Sequence, residues 1–272
     1  MPEKGRTEND MRIGFIGAGN MGKAIIGGII KNGGNDTLIV YDKSEEGLKA
    51  VCREPRAKRA ESNSSVASES NILFLAVKPN VLYSVIDEIK DSVAEDTVVV
   101  SIAAGQSIEK IENAFGRKIK LIRVMPNTPA LVGEGMAALC RNANTTDEEM
   151  RAVLEIFSGL GRAEEVAEYM MDAVTAVSGS APAYIFMLIE AMADAAVMGG
   201  MPRDKAYTFA AQTVLGSAKM VLETGKHPGE LKDMVCSPAG TTIEAVRVLE
   251  KEGFRGAVIE AMKACMDKSG KL

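Results

Sequence analysis

The chain has 272 residues, a length that suggests two domains or one large domain. With 46% hydrophobic and 25% charged residues, it has the composition of a folded protein with a substantial core. Its net charge of −5 and its scattered lysines and arginines argue against a nucleic-acid-binding surface, so we expect small molecules and other subunits as partners.

Residues 1–10, MPEKGRTEND, are charged and polar, and they lack the apolar core of a signal peptide. We predict a flexible tail there, and we find no uninterrupted apolar run of membrane-spanning length in the sequence. The four cysteines form no C-x-x-C pair and there is one histidine, which predicts neither a metal site nor a disulfide framework. Reduced thiols in the cytoplasm fit this pattern better, and we interpret Cys236 as a packing residue rather than a nucleophile.

Between residues 11 and 168, short apolar runs alternate with amphipathic stretches of helical period. Five runs predict strands: RIGFIG, TLIVY, ILFLAV, TVVVSIA and KLIRVM. Nearly continuous apolar character is typical of strands buried on both faces of a parallel sheet, and the helical stretches between them predict right-handed βαβ units. Two further strands, GMAALCR and AEEVA, flank a helix that opens with a capping signal, Thr146 followed by Glu149. We therefore predict an α/β domain with a doubly wound sheet over residues 11–168.

After residue 168 the strand signals stop, and five successive stretches have helical period. Pro202 and Pro228 fall at predicted helix starts, where proline is tolerated. We predict an all-α domain over residues 169–272. Its helices carry Ala, Gly and Met on more than one face, which indicates packing between subunits; a methionine-rich core of a monomer is the alternative.

The first predicted strand leads directly into GAGNMG, residues 17–22, a G-x-G-x-x-G that opens a helix. In this context Gly17 allows the tight turn, and Gly19 lets a pyrophosphate approach the backbone. Gly22 allows close packing of strand and helix. These residues predict a dinucleotide-binding domain of the Rossmann type.

Asp42 ends the second predicted strand, at the position for an acid that bonds the ribose 2′-OH, about 20 residues beyond the glycine loop. Lys43 and Ser44 follow and could instead serve a 2′-phosphate. The sequence leaves NADH and NADPH both open.

Two further strand ends carry Lys78 and Pro79, and Asn127 and Thr128. Because ligands bind beyond the carboxyl ends of parallel strands, these residues are predicted to border the nicotinamide half of the cofactor. A solvated lysine and a rigid proline turn are the structural alternatives.

The sequence lacks an obvious acid–base residue for a carbonyl substrate. Alcohol and ketone dehydrogenases usually supply a His, Lys or Tyr, but His227 lies in a helix-start context, where we interpret it as structural. A protonated C=N group needs little acid catalysis, which favours an imine reductase. The stretch CSPAGTT, residues 236–242, runs into a helical pattern and predicts a helix N-terminus that can hold a substrate carboxylate.

The chain closely resembles pyrroline-5-carboxylate reductases over residues 11–270. The resemblance is carried by PGELKDMVCSPAGTTIEAVRVLE, GFIGAGNMGKAI, FLAVKP, MPNTP and SGSAPAY. It implies reduction of 1-pyrroline-5-carboxylate to L-proline with NADPH or NADH, the last step of proline biosynthesis. It also implies a Rossmann domain followed by a helical dimerisation domain, often in rings of dimers.

The resemblance further implies particular site residues. The substrate would lie on the turn of Ser237, Gly240, Thr241 and Thr242, whose amides and hydroxyls hold the carboxylate. Thr242 would act as the catalytic residue by bonding the ring nitrogen, with Glu168 nearby. Cofactor contacts would come, besides Asp42 and Asn127, from Ile16, Gly17, Ala18, Gly19, Asn20, Met21, Asn63, Ala76, Val77, Lys78, Pro79, Ile102, Ala103 and Ala104.

Two positions depart from the family pattern. Many members have two glycines where this chain has Ala239 and Gly240, a small change as long as Ala239 keeps a negative φ. Met234 replaces an asparagine that lies near the cofactor in some members, which puts one cofactor contact in doubt.

Two other functions remain open. One is a β-hydroxyacid or related imine reductase; β-hydroxyacid dehydrogenases carry a catalytic lysine on the interdomain helix, and this chain has no lysine between Met170 and Pro202. The other is a non-catalytic dinucleotide-binding sensor, against which the CSPAGTT turn argues.

Overall fold

The computed structural model describes residues 11–33 and 35–271. The predicted flexible tail, residues 1–10, lies outside the described residues. The chain divides into two compact units: one ends at Gly179 and also takes in the chain from Cys265 onward, and the other is Ser180–Ala264. The predicted domain boundary after residue 168 stays a prediction.

The first unit contains an eight-stranded sheet in the order β3-β2-β1-β4-β5-β6-β7-β8. The strands are β1 (Arg12–Ile16), β2 (Thr37–Tyr41), β3 (Ala57–Arg59), β4 (Ile72–Leu75), β5 (Val98–Ser101), β6 (Lys120–Met125), β7 (Gly135–Arg141) and β8 (Gly161–Glu165). The strands β1 to β6 are all parallel, β7 is antiparallel to β6, and β8 is parallel to β7. The predicted doubly wound sheet is confirmed.

Several strands differ from the sequence-based prediction, and β4 and β5 each end two residues before the predicted runs ILFLAV and TVVVSIA do. The edge strand β3 was missed because its three residues, AKR, contain no apolar run. The strand β8 begins and ends two residues earlier than predicted, since its sequence GRAEE alternates without a clear apolar boundary. Both strands lie at the edges of the sheet, where burial imposes the weakest pattern on the sequence.

Most helices of the first unit connect these strands, and one follows β8. They are α1 (Asn20–Lys31), α2 (Glu45–Val51), α3 (Asn63–Glu69), α4 (Pro79–Ile89), α5 (Ile108–Phe115), α6 (Asp147–Ser158) and α7 (Met171–Val174). The predicted capping box at α6 is confirmed: the Thr146 hydroxyl accepts from the Glu149 N–H, and the Glu149 carboxylate accepts from the Thr146 N–H at 2.9 Å. Short 3-10 turns occupy Thr128–Val132 and Glu168–Met170, and a π-helical turn occupies Thr175–Ser180.

The hydrophobic core lies on both faces of the sheet, as the apolar strands require. On one face Phe15 of β1 stacks on Phe74 of β4, with ring centroids 4.6 Å apart, and Phe157 of α6 packs against Phe74. Burying each such side chain stabilises the fold by about 1.5–3 kcal/mol. The strands β1 and β4 are neighbours at the point where the strand order reverses, which is where a ligand crevice forms in doubly wound sheets.

The second unit is helical, as predicted, and it leaves most of its apolar side chains exposed. It contains α8 (Ala181–Met198), α9 (Arg203–Thr224), α10 (Pro228–Val235), α11 (Thr241–Lys251) and most of α12 (Phe254–Ser269). Within it the buried residues are three alanines, Ala193, Ala206 and Ala210. Phe186 and Phe209 are each 62% exposed. A methionine-rich monomer core is therefore wrong for this unit, and its apolar faces suit an interface between subunits.

One helical segment, Glu168–Met198, is long and apolar enough to cross a bilayer by length and composition. The sequence analysis did not find it because Ser178, Gly179 and Ser180 interrupt the apolar run. The same exposed apolar character serves contact between subunits equally well.

Candidate functional site

The glycine loop after β1 has the geometry that its three glycines predict. Gly17 has φ +106°, and a Cβ there would lie 2.5 Å from the Ala76 carbonyl oxygen. A Cβ on Gly22 would lie 2.5 Å from the Gly17 carbonyl oxygen, so strand and helix approach closely. A Cβ on Gly19 would meet no atom within 4 Å. The space over Gly19 is therefore open, as close approach of a pyrophosphate requires.

A cleft of about 260 Å³ lies beside this loop, at the carboxyl ends of β1, β2 and β4. It brings together many of the residues predicted to contact a cofactor, among them Lys43, the candidate partner of a 2′-phosphate. Its lining also contains Tyr41, Val81 and Val85, which the prediction did not include. The predicted residues in its lining are Ile16, Gly17, Gly19, Asp42, Asn63, Ala76, Val77 and Lys78.

The other predicted cofactor residues lie outside this lining. Ala18 is buried in the glycine loop, Asn20 and Met21 begin α1, and Pro79 begins α4. Residues 102–104 follow β5, and Ala103 among them is buried, so this segment can offer its backbone more readily than its side chains.

The Asp42 carboxylate is fixed by two backbone hydrogen bonds. Its Oδ2 accepts from the Ala18 N–H at 2.5 Å, and its Oδ1 accepts from the Ser44 N–H at 2.7 Å. The first bond ties the end of β2 to the glycine loop. Asn63, buried at the start of α3, donates from Nδ2 to Glu88 Oε2 at 2.8 Å.

Both ends of the buried Asn127 amide are used within the first unit. Its Oδ1 accepts from the Met136 N–H at 2.9 Å, and its Nδ2 donates to the Ser178 carbonyl at 3.0 Å. Ser178 lies in the π-helical turn, a feature frequent at functional sites. The side chain thus connects β6, β7 and this turn, which its position at a strand end did not reveal. Its contact with a cofactor stays a prediction.

The CSPAGTT turn forms the predicted helix N-terminus. The helix α11 begins at Thr241, and its N-cap Gly240 has no side chain to cap it. The Gly240 N–H donates to the Ser237 carbonyl at 3.0 Å, and its contact with a substrate carboxylate stays a prediction. The N–H groups of Thr241, Thr242 and Ile243 begin the helix and have no intrahelical acceptor. A Cβ on Gly240 would lie 2.2 Å from Ser237 Oγ, so a larger residue there would force the Ser237 hydroxyl to move.

Ala239 has φ +54°, and among residues 11–33 and 35–271 no other non-glycine residue has a positive φ. The condition under which this departure from the family pattern would be a small change, a negative φ at Ala239, is therefore not met. A left-handed conformation costs an alanine about 1–2 kcal/mol, because its Cβ approaches the following carbonyl oxygen. The replacement of a family glycine by Ala239 thus strains the turn that precedes α11.

We predict that Ala239→Gly raises the free energy of unfolding by up to about 1 kcal/mol, since relief of the strain exceeds the entropy that glycine adds to the unfolded chain. Urea denaturation measures the change. The matched control is Ala245→Gly, inside α11, which should destabilise by about 1 kcal/mol. A loss of stability in Ala239→Gly equal to that of the control would contradict the strain.

Glu168, expected near the substrate, makes two hydrogen bonds within the first unit. Its Oε1 accepts from the Ile108 N–H at 2.7 Å and from Arg123 Nη1 at 3.0 Å. Arg123 is buried, and its charge requires such a partner. The arginine inside the apolar run KLIRVM was the sequence signal for this pair, and it was missed. A substrate contact of Glu168 stays a prediction.

The remaining reactive side chains have structural surroundings. His227 is the N-cap of α10, and its Nδ1 accepts from the Gly229 N–H at 3.0 Å, which confirms the structural interpretation. Burial raises the pKa of the Cys140 thiol to about 12, so this cysteine is not a nucleophile at neutral pH. In the described part of the chain, no three His, Cys, Asp or Glu side chains are grouped so as to hold a metal ion.

Comparisons with known proteins cover nearly the whole chain. Residues 168–272 match the family described as "Pyrroline-5-carboxylate reductase dimerisation", and residues 12–105 match the one described as "NADP oxidoreductase coenzyme F420-dependent". The chain is 57% identical to the pyrroline-5-carboxylate reductase of Escherichia coli (strain K12) and 47% identical to that of Methanosarcina acetivorans. Each alignment covers 97% of this chain and 98% of the relative.

The crystal structure of Plasmodium falciparum pyrroline carboxylate reductase with NADP bound has a TM-score of 0.88 to this structure. It is 34% identical, and the match covers 98% of this chain and 99% of that chain. Similarity of sequence and of fold therefore extends through both units, and the resemblance is confirmed: this chain belongs to the pyrroline-5-carboxylate reductase family.

Proposed function

We propose that this protein reduces 1-pyrroline-5-carboxylate to L-proline with NADPH or NADH, the last step of proline biosynthesis. The observation that carries the proposal is the 57% identity to a pyrroline-5-carboxylate reductase over nearly the full length of both chains. It is a stronger basis than the dinucleotide fold alone, because one fold serves many activities.

The cofactor-binding residues are proposed from the glycine loop and the cleft beside it. The open space over Gly19 and the tight turn at Gly17 fit a pyrophosphate, and the helix α1 begins at Asn20 behind the loop. NAD(P)H supplies the hydride when bound. The proposed contacts are Ile16, Gly17, Ala18, Gly19, Asn20, Met21, Asp42, Asn63, Ala76, Val77, Lys78, Pro79, Ile102, Ala103, Ala104 and Asn127.

The substrate carboxylate is proposed to bind at the N-terminus of α11. The N–H groups of Thr241 and Thr242 are available there, and the Ser237 hydroxyl lies against Gly240 in the same turn. An anion at a helix N-terminus gains charge-assisted hydrogen bonds and a favourable interaction with the helix dipole. Glu168 is retained as a proposed neighbour of the substrate, although its Oε1 already accepts two bonds.

Thr242 is the proposed catalytic residue. Its hydroxyl would bond the ring nitrogen, whose lone pair appears as the imine is reduced to an amine. The protonated imine already carries the positive charge that makes its carbon an acceptor, so a separate strong acid is unnecessary. The N–H groups that are proposed to hold the substrate carboxylate lie beside the Thr242 hydroxyl in the chain, so a bound carboxylate fixes the position of the ring. The energy of binding the carboxylate thereby orients the ring for the reaction.

Assembly and location complete the proposal. The exposed apolar side chains of Ser180–Ala264 and the match of residues 168–272 to a dimerisation family support a homodimer, on which a ring of dimers can be built. We place the protein in the cytoplasm, in agreement with the absence of a disulfide at Cys52, Cys140 and Cys236.

Steady-state oxidation of NADH and of NADPH in the presence of 1-pyrroline-5-carboxylate tests the proposal, and we expect proline as the product. A β-hydroxyacid substrate assayed with NAD⁺ and NADP⁺ is the control, for which we expect no turnover. Binding of the cofactor without oxidation would support the sensor instead and would overturn the proposed reaction.

A further inference from the structure

Asp42, which directly follows β2, has only part of its hydrogen-bonding capacity left for a ligand. A carboxylate offers about four acceptor positions, two on each oxygen. The Ala18 N–H and the Ser44 N–H use one position on each oxygen of Asp42. One position on each oxygen remains, in a side chain that lines the cleft and is held in place from both sides. Such a carboxylate is suited to the neighbouring 2′- and 3′-hydroxyls of an unmodified ribose.

A 2′-phosphate in the same place would carry between one and two negative charges at neutral pH, and it would face this fixed carboxylate. It would therefore need a nearby cation. The nearest arginine in the sheet is Arg59, the last residue of β3, which pairs with Val40 of β2 two residues before Asp42.

Arg59 is already engaged by Glu45, the first residue of α2. Its Nη1 donates to Glu45 Oε2 at 2.8 Å, and its Nη2 donates to Glu45 Oε1, so the contact is bidentate. The hydrogen bond from Arg59 lowers the pKa of Glu45, and the pair stays ionised at neutral pH. Both side chains are more than half exposed, so the pair adds little to stability. Its consequence is that the guanidinium already has an anionic partner.

Lys78 and Lys43 both line the cleft together with Asp42. Lys43 follows Asp42 directly in the chain and is the cation beside it. It is exposed, and it stands next to a carboxylate that cannot turn away without losing two hydrogen bonds. Solvent screens an exposed lysine, so it offsets the repulsion only in part.

We propose, on the basis of the proposed function, that this protein prefers NADH to NADPH. Asp42 is the specificity-determining residue, and Glu45 reinforces the preference by withholding Arg59 from a 2′-phosphate.

Isothermal titration calorimetry of the full chain with NADH and with NADPH, without substrate, tests the preference directly. We expect the wild type to bind NADH about tenfold or more tightly, from the repulsion between charges a few ångströms apart. Asp42→Asn keeps an oxygen for the Ala18 N–H while removing the charge, and it should narrow the ratio of the two dissociation constants. Adding Glu45→Gln to Asp42→Asn should bring the dissociation constants of NADH and NADPH still closer together. The matched control, Glu46→Gln, removes the same charge from the next residue of α2 and should leave the ratio unchanged.

Asp42→Ser is the second variant, in case the asparagine disturbs the glycine loop, and circular dichroism verifies the fold of each. Equal or tighter binding of NADPH by the wild type would overturn the proposal, as would a ratio that neither Asp42 variant changes. Steady-state kcat/KM values with both cofactors separate this inference from the proposed function. Preferential NADH binding without reduction of 1-pyrroline-5-carboxylate would contradict the reaction and leave the preference standing.

Discussion

Thr242→Ala is expected to lower kcat/KM for 1-pyrroline-5-carboxylate by about tenfold to a hundredfold, the effect of losing about 1.4 to 2.7 kcal/mol of transition-state stabilisation. In the proposed reaction the Thr242 hydroxyl bonds the ring nitrogen as the imine becomes an amine, so its loss should destabilise the transition state more than it weakens cofactor binding. Cofactor affinity should stay near the wild-type value, because the dinucleotide residues lie in a different unit of the chain. Steady-state kinetics and calorimetric titration of the cofactor give the two quantities.

Two comparisons distinguish catalysis from helix stability. Thr242→Ser keeps the hydroxyl and should recover most of the activity. Thr208→Ala is the matched control, since it removes from α9 a threonine whose hydroxyl bonds a backbone carbonyl within the same helix. If Thr242 only supports the start of α11, the variant would lose about 1 kcal/mol of stability and keep its kinetics. Wild-type kinetics in a destabilised Thr242→Ala protein would exclude the substrate-site proposal.

Gly19→Ala is expected to weaken cofactor binding without loss of stability, whereas Gly17→Ala is expected to lower the stability of the fold. A Cβ on Gly19 meets no protein atom and its φ is −69°, so the variant should melt like the wild type. The added methyl group occupies the space proposed for the pyrophosphate, and the dissociation constant of the cofactor should rise by about tenfold or more, the equivalent of losing one good contact.

Gly17→Ala should instead destabilise the fold. The left-handed φ alone costs an alanine about 1–2 kcal/mol, and the Cβ would also lie 2.5 Å from a backbone oxygen that cannot move without displacing β4. Thermal melting and cofactor titration of both variants test the pair. Unchanged cofactor binding in a stable Gly19→Ala protein would show that the pyrophosphate does not approach this residue.

The elements that the sequence predicted well are those whose signals are local. The five buried parallel strands have continuous apolar runs, and the glycine loop has a fixed spacing. The capping box of α6 depends on two residues three positions apart. The strand β3 was missed because an edge strand of three residues needs no apolar run, only a neighbour that supplies hydrogen bonds.

The candidate site was predicted by residue type and motif, but its hydrogen bonds were not. Asp42 was assigned to a ribose from its position, whereas its bond to the Ala18 N–H, which helps to fix its orientation, joins two different loops. Asn127 was assigned to a cofactor, and its amide connects a strand to a π-helical turn 51 residues away in the sequence. Long-range pairs of this kind leave no periodic signal, so a single sequence cannot specify them.

The sequence by itself determined the class of fold, the glycine loop after β1 and the helix start in CSPAGTT, because glycine spacing, apolar period and helix-start residues act over a few neighbouring positions. Only the tertiary structure decided that Ala239 adopts a left-handed φ, that the Gly240 N–H is used within its own turn, and that Glu168 pairs with Arg123. The φ of an alanine depends on how the chain must close between α10 and α11, and a buried arginine finds its partner only when distant elements pack together. Both outcomes are set by where the rest of the chain places the backbone.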